Sequence, residues 1–202
     1  MDLSLSLLFS TLSGVFLLWG YLAYNKDIFR GSSQPNIISW GIWTTTTVLN
    51  MASYFIMTKD ILKISLPIVE TFACLFTFIY AFSQKKTITL ISTTDKITLS
   101  IGSLALFGWW LIQSAVFANM VLQFACIAGF TSTYKSVWHN PSKEKLFPWT
   151  VFSLAYTFLL LTVISRWSGT TTELVSPVLG VVLHSGLAIL IAVRTKSFKI
   201  TA

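Results

Sequence analysis

Long apolar stretches alternate with short polar connectors along the chain, and this pattern predicts helices that cross a membrane. Most of the stretches run for about twenty residues, the length that an α-helix needs to span a hydrocarbon core about 30 Å thick. The stretch from Ile97 to Trp138 is too long for one crossing, so we place a turn at Gln113 and Ser114. The seven predicted helices then cover residues 3–24, 36–57, 64–82, 97–112, 115–137, 148–166 and 174–194.

Composition supports an integral membrane protein of the all-α class. Hydrophobic residues make up 54% of the chain and charged residues only 10%, whereas about a quarter of the residues in a soluble domain are charged. A β-barrel is disfavoured, because its strands alternate apolar and polar positions over about ten residues. We therefore expect the lipid bilayer as a partner and no nucleic acid, despite the net charge of +7.

One stretch near the start of the chain, residues 20–40, recurs without a gap at residues 129–149. The two stretches share four identities in 21 positions. The shift in residue number that takes Gly20 to Gly129, which we call the repeat shift, also carries predicted helices one to three onto helices five to seven. Pro67 meets Pro177 if the shift is lengthened by a single position. The identical pairs are Gly20 and Gly129, Lys26 and Lys135, Ser33 and Ser142, and Trp40 and Trp149.

The recurrence predicts two three-helix repeats joined by linker helix four, a 3+1+3 plan of seven transmembrane helices. Because the linker is a single crossing, both repeats keep the same orientation in the membrane and are parallel. The predicted units are the first repeat at residues 1–83, the connector and linker helix at 84–113, the second repeat at 114–196 and a polar tail at 197–202.

The distribution of basic residues favours an N-terminus outside and a C-terminus in the cytoplasm. In this orientation eleven of the fourteen lysines and arginines lie in cytoplasmic segments, while Lys59, Lys63 and Arg166 lie outside. An excess of basic residues in cytoplasmic loops is the general rule for membrane proteins. The cytoplasmic set comprises Lys26, Arg30, Lys85, Lys86, Lys96, Lys135, Lys143, Lys145, Arg194, Lys196 and Lys199.

Short motifs occur at equivalent places in the two halves. R-G-x-x-x-P and S-W-x-x-W follow Tyr24, and N-P-S-x-E and P-W follow Trp138. With the 3+1+3 plan, they resemble the SWEET and PQ-loop superfamily, above all bacterial PQ-loop-like membrane proteins. Vitamin transporters of the nicotinamide-riboside type are similar in plan. The resemblance implies a transporter in the bacterial inner (plasma) membrane, moving a sugar, vitamin or amino-acid-like solute by alternating access between two three-helix bundles.

The chain departs from the sugar transporters of this superfamily in three ways. The Pro-Gln pair is reversed as Gln34-Pro35, and the first helix of each repeat has no proline. The third helices carry Glu70, Cys74 and His184, whereas the sugar transporters carry an asparagine in each. The resemblance therefore does not point to a sugar in particular.

Ionisable groups inside the predicted spans are the first candidates for a solute site, because such groups are costly in lipid. Glu70 and Cys74 lie one turn apart on helix three, and His184 lies midway along helix seven. Cys74 and His184 are repeat partners under the same lengthened shift as the prolines, so we expect them to face each other across the axis between the repeats. The alternatives are a Glu70 wetted at the outer surface and a His184 that only bonds a neighbouring helix.

Amide side chains supply the second set of candidates. Helix two presents Trp43 and Asn50 on one face, and helix five carries Asn119 and Gln123 one turn apart. An unpaired amide in lipid costs several kcal/mol, so these groups either line a cavity or bond a neighbouring helix. The predicted substrate-binding residues are Trp43, Asn50, Glu70, Cys74, Asn119, Gln123 and His184.

The polar and aromatic stripe on helix two has a counterpart on helix six. This counterpart, which runs from Trp149 to Val163, is less polar. Trp40 and Trp149 open their helices and also fit the aromatic belt at a membrane surface. A belt position and a cavity position therefore both stay open for these two tryptophans.

A membrane transporter is the leading hypothesis, with proton coupling through Glu70 or His184 as an open extension. The alternative is a seven-helix receptor or sensor that binds a small ligand without transport. A retinal protein is disfavoured because helix seven has no lysine within its span. An enzyme is disfavoured because we find no catalytic constellation, and we expect no cofactor and no metal. Homo-oligomerisation stays open.

Overall fold

The computed structural model describes residues 3–35, 37–84 and 93–201, and these residues form helices and loops without a strand. The prediction of an all-α protein is confirmed. One short 3-10 helix, Pro141–Lys143, precedes α6. The α-helices are α1 (Leu3–Phe29), α2 (Ile37–Thr58), α3 (Ile61–Gln84), α4 (Thr93–Ile112), α5 (Ala115–His139), α6 (Leu146–Ser165) and α7 (Thr172–Thr201).

Five of these helices are long and apolar enough to cross a membrane, judged by length and composition: α1, α3, α5, α6 and α7. Their outer surfaces carry large apolar side chains, among them Leu22, Phe72, Phe124 and Ile189, each more than 60% exposed. Water would solvate such a surface poorly, whereas lipid tails match it. The fold is that of a protein embedded in a membrane.

The predicted turn between the fourth and fifth helices is confirmed, and its local chemistry is clear. Gln113 has a positive φ of 54° and so breaks the helical path. Ser114 then caps α5, since its Oγ accepts a hydrogen bond of 3.3 Å from the backbone N–H of Phe117. A serine at this position satisfies a backbone donor that the first helical turn leaves unpaired.

Several predicted boundaries were wrong by a few residues. Helix α3 begins at Ile61 instead of residue 64, because Asp60 accepts a hydrogen bond of 3.0 Å from the backbone N–H of Leu62. Lys63 therefore lies within the helix, and Glu70 is more than two turns from its start. Helix α7 continues to Thr201, where a polar tail was predicted. The predicted cytoplasmic residues Lys85 and Lys86 fall outside the described residues.

The helices pack in two sets of three. Helix α3 contacts both α1 and α2, and α7 contacts both α5 and α6. Between the sets, α1 packs along α6 and α2 packs along α5, while α3 meets α6 and α7 meets α2. Exchanging α1, α2 and α3 with α5, α6 and α7 leaves this list of pairs unchanged. Helix α4 stands apart from it and packs on α5 and α2.

One end of the bundle is closed by two ion pairs between the sets. Lys63 Nζ lies 2.6 Å from Glu173 Oε2, and both side chains are only 3% exposed. The carboxylate of Glu173 also accepts a hydrogen bond of 2.7 Å from Ser168 Oγ. A second pair, Arg166 with Asp60 at 2.5 Å, is more exposed. Lys63 and Glu173 stand near the starts of α3 and α7, at positions that the lengthened shift makes equivalent.

The other end holds a buried carboxylate in the loop before α6. Glu144 accepts hydrogen bonds from the Tyr24 hydroxyl at 3.0 Å and from Trp149 Nε1 at 3.1 Å. Burial raises the pKa of Glu144 from its ordinary 4.5 to about 7, although these two hydrogen bonds favour the charged form. The loops themselves meet here, because the backbone N–H of Gln34 donates to the carbonyl of Lys143 at 3.0 Å.

Replacing Lys63 with alanine should lower the free energy of unfolding by about 3–5 kcal/mol, because Glu173 would keep a buried charge without a partner. Combining Lys63→Glu with Glu173→Lys should restore most of this loss, since the two positions occupy equivalent places in α3 and α7. Thermal unfolding in detergent measures both effects. Arg166→Ala is the matched control, and loss of its more exposed pair should cost only about 0–1 kcal/mol. A swapped pair as unstable as Lys63→Ala would contradict the argument.

Glu144→Gln should flatten the pH dependence of stability between pH 5 and pH 8. A raised pKa means that the folded protein holds a proton that the unfolded chain has released. The stabilisation from Glu144 is therefore complete below pH 4.5 and lost as the pH rises through about 7. Wild-type protein should lose up to about 3 kcal/mol more than the variant across this range. Parallel unfolding curves for the two proteins would refute the assignment.

Candidate functional site

One cavity lies between the two sets of three helices. It comprises about 750 Å³ of space not filled by atoms, part of it open to solvent. Six helices line it, and the described residues of α4 contribute none of the lining. Small-molecule sites in proteins commonly lie between helices of a bundle.

Most of the lining residues fall into pairs that the repeat relates. Pairs on the first two helices of each set obey the repeat shift, and pairs on the third helices obey the shift that is one position longer. The remaining lining residues are Thr46, Asn50, Leu122, Gln123, Ser176 and Leu179. The pairs are Leu17 and Cys126, Tyr21 and Phe130, Trp40 and Trp149, Trp43 and Phe152, Thr47 and Tyr156, Glu70 and Gly180, and Cys74 and His184.

Six of the seven predicted substrate-binding residues line this cavity. They are Trp43, Asn50, Glu70, Cys74, Gln123 and His184. The seventh, Asn119, does not line it and is fully buried. Its Nδ2 donates to Asn50 Oδ1 at 2.8 Å and to Ser53 Oγ at 3.1 Å. Asn119 thus holds Asn50 in place from behind the cavity wall.

The amides join α2 to α5 as well as lining the cavity. Gln123 Nε2 lies 3.4 Å from Asn50 Oδ1 and 3.3 Å from the carbonyl oxygen of Asn119. The sequence left open whether these amides bond a neighbouring helix or line a cavity. Asn50 and Gln123 do both. A fixed network of this kind keeps the amide dipoles oriented without a ligand.

Glu70 is held from the opposite set of helices. The Tyr156 hydroxyl on α6 donates to Glu70 Oε1 at 2.5 Å. Gly180 on α7 makes room for this tyrosine, because a Cβ at that position would overlap the ring of Tyr156. Tyr156 was not among the predicted substrate-binding residues, because it lies in the stripe of α6 described as less polar. Its signal was present, since a tyrosine hydroxyl inside a span needs a hydrogen-bond partner.

His184 lies against the aromatic wall and bonds its own helix. Its Nδ1 is 2.7 Å from the carbonyl oxygen of Gly180; a carbonyl only accepts, so Nδ1 carries the proton. The ring stacks on Tyr156 at 4.6 Å and an interplanar angle of 22°, and meets Phe130 edge-on at 4.9 Å. Within the described part of the chain, Nε2 has no hydrogen-bond partner and is available to a ligand.

The tryptophans are core residues of the bundle. Trp40 is 3% exposed and Trp149 is 1% exposed, so the alternative of an aromatic belt at the membrane surface was wrong for both. Trp149 Nε1 donates to Glu144. Trp43 Nε1 is buried and finds no hydrogen-bond partner among the described residues. This N–H faces α5 at Gly129, where an added Cβ would overlap Trp43 Nε1.

Three further polar groups of the cavity wall bond to their own helix or to a neighbouring one. The hydroxyl of Thr46 donates to the carbonyl of Trp43 at 3.0 Å, and that of Thr47 donates to the carbonyl of Thr44 at 3.0 Å. Cys74 Sγ lies 3.5 Å from Thr44 Oγ1. Across the described residues, no group of three or more His, Cys, Asp or Glu side chains is arranged to hold a metal ion.

Comparison of the chain with protein-family models, with curated proteins and with solved structures finds no match. The resemblance to the SWEET and PQ-loop superfamily therefore stays a prediction from short motifs and helix order.

Gly180→Ala should lower the free energy of unfolding by about 1–3 kcal/mol, because the added methyl group overlaps Tyr156. Gly14→Ala is the matched control: its Cβ would meet only Val69 Cγ2 at an ordinary 3.8 Å. That variant should be neutral or more stable, since alanine favours a helix. Combining Gly180→Ala with Tyr156→Ala should cost less than the sum of the single changes. Thermal unfolding measures all four proteins, and equal effects of the two glycine variants would contradict the packing argument.

Proposed function

We propose that the protein is a membrane transporter that moves a small polar solute by alternating access. The two moving units are residues 1–83 and 114–196, each with three helices, joined through α4 in a seven-helix 3+1+3 plan. The observation that carries the proposal is the pairing of cavity-lining residues by the repeat, since each unit then contributes equivalent positions to one central cavity. Transporters built from repeats bind their substrate at such an interface.

The bonds at the two ends of the bundle fit this mechanism. Each of them joins the first unit to the second: Lys63 to Glu173 at one end and Tyr24 to Glu144 at the other. Rigid-body rocking of one unit against the other would part the bonds at one end while those at the opposite end stay closed. The cavity then opens alternately to the two sides.

The orientation we propose is N-terminus outside and C-terminus in the cytoplasm, in a bacterial plasma membrane. Lys63 is neutralised by Glu173 and Arg166 by Asp60. Two of the three basic residues on the proposed outer side are therefore paired with acidic ones. The orientation itself is favoured by the number of lysines and arginines, eleven on the proposed cytoplasmic side and three outside.

Glu70 gives the proposed transporter a route to proton coupling. Its hydrogen bond with Tyr156 connects α3 of the first unit to α6 of the second. Protonating or deprotonating the carboxylate changes the strength of this bond between units, since hydrogen bonds to a charged acceptor are about twice as strong as neutral ones. A carboxylate at such a position links its charge state to the relative position of the units.

Uptake into proteoliposomes from a panel of sugars, amino acids, vitamins and organic cations tests the proposal. Saturable uptake of at least one solute is expected. Saturable binding without uptake of any solute would overturn transport and favour a receptor.

Locking one end of the bundle should abolish uptake and leave ligand binding intact. Lys63→Cys with Glu173→Cys is joined by a short bifunctional thiol reagent in a background with Cys74→Ser and Cys126→Ser. Because both native cysteines line the cavity, uptake and binding are compared with those of the same protein before cross-linking. Ser10→Cys with Ser65→Cys is the matched control, because Ser10 Oγ and Ser65 Oγ lie 2.8 Å apart within the first unit. Cross-linking the control should leave uptake unchanged. Full uptake after efficient cross-linking of positions 63 and 173 would contradict alternating access.

A further inference from the structure

The wall of the cavity is built largely from aromatic rings of both units. Trp40 and Trp43 meet at 5.3 Å and 83°, and Tyr21 meets Phe152 at 5.0 Å and 60°. Rings at such steep angles present faces in different directions around the enclosed space. The face of an aromatic ring is electron-rich and attracts a cation within about 6 Å.

The charge of the lining points in the same direction. Glu70 is the acidic residue among the described residues that line the cavity, and neither lysine nor arginine lies among them. Tyr156 occupies Glu70 Oε1, and Oε2 has no protein partner in the part of the chain that the structure describes. A buried carboxylate without a counter-charge is costly, so a cation in the cavity would offset that cost.

We propose that the solute is a small organic cation, an ammonium ion with methyl groups or a similar apolar shell. This inference rests on the proposed function and names its substrate class. The aromatic faces and Glu70 bind the cationic head. The shared chemistry covers both a free solute and the quaternary ammonium headgroup of a lipid.

Choline and its uncharged isostere 3,3-dimethylbutan-1-ol provide the test, because they differ in charge and hardly in shape. Calorimetric titration of the purified full chain, in a detergent without choline headgroups, should show choline binding at least about tenfold more tightly than the isostere. Glu70→Gln should weaken choline by about tenfold or more and leave the isostere unchanged. A water-soluble short-chain phosphatidylcholine, titrated alongside, distinguishes a lipid headgroup from a free solute.

The wild-type comparison decides the question even where a variant fails to fold. Equal affinities for choline and the isostere, or no binding of either, overturn the cation assignment. Uptake of a neutral solute without choline binding overturns it too, while transport itself stands. Choline binding without uptake keeps the substrate class and overturns transport.

Discussion

A polar side chain inside an apolar helix bundle has to find its partner within the protein, because lipid tails offer none. Three of the bonds that satisfy buried polar groups here run between the two sets of helices. Lys63 pairs with Glu173 across the bundle, Asn119 bonds Asn50 across α5 and α2, and Tyr156 bonds Glu70 across α6 and α3. The polar groups therefore decide which helices meet, while apolar packing fills the space around them.

Equivalent positions line the cavity on both sides, but their side chains differ in chemistry. At one pair of equivalent positions stand Thr47 and Tyr156, and at another Glu70 and Gly180. The large ring of Tyr156 packs on Gly180 of its own set, and its hydroxyl reaches the carboxylate of the other set. The matching bond cannot form in the opposite direction, because Gly180 has no side chain for Thr47 to reach. Among the described lining residues, the carboxylate of Glu70 therefore stands on one side only, in addition to the amides and the imidazole of His184.

Periodicity and the positions of polar residues along the chain were sufficient to predict helices, the turn at Gln113 and six of the residues that line the cavity. Sequence alone did not predict features that depend on contacts with another segment of the chain. The start of α3 depends on the cap from Asp60, and the place of Trp149 depends on the carboxylate of Glu144. Asn119 has the pattern of a cavity residue and lies behind the wall because Asn50 occupies the position in front of it. The sequence shows that a polar side chain within a helical span needs a hydrogen-bond partner. The packing of the helices determines which residue that partner is.

The two shifts differ by one position, and this difference locates a change in chain length between the two sets of helices. Pairs on the first two helices of each set, such as Trp40 and Trp149, obey the repeat shift, and pairs on the third helices, such as Cys74 and His184, need one position more. An extra residue within a helix would turn everything after it by about 100° and destroy the correspondence. The change falls instead between α6 and α7, a connection that is longer than the one between α2 and α3. Connectors on the surface tolerate insertions, so each helix keeps its own register. Under the predicted duplication of a three-helix unit, an insertion in one loop accounts for both shifts and for the lining positions that still correspond.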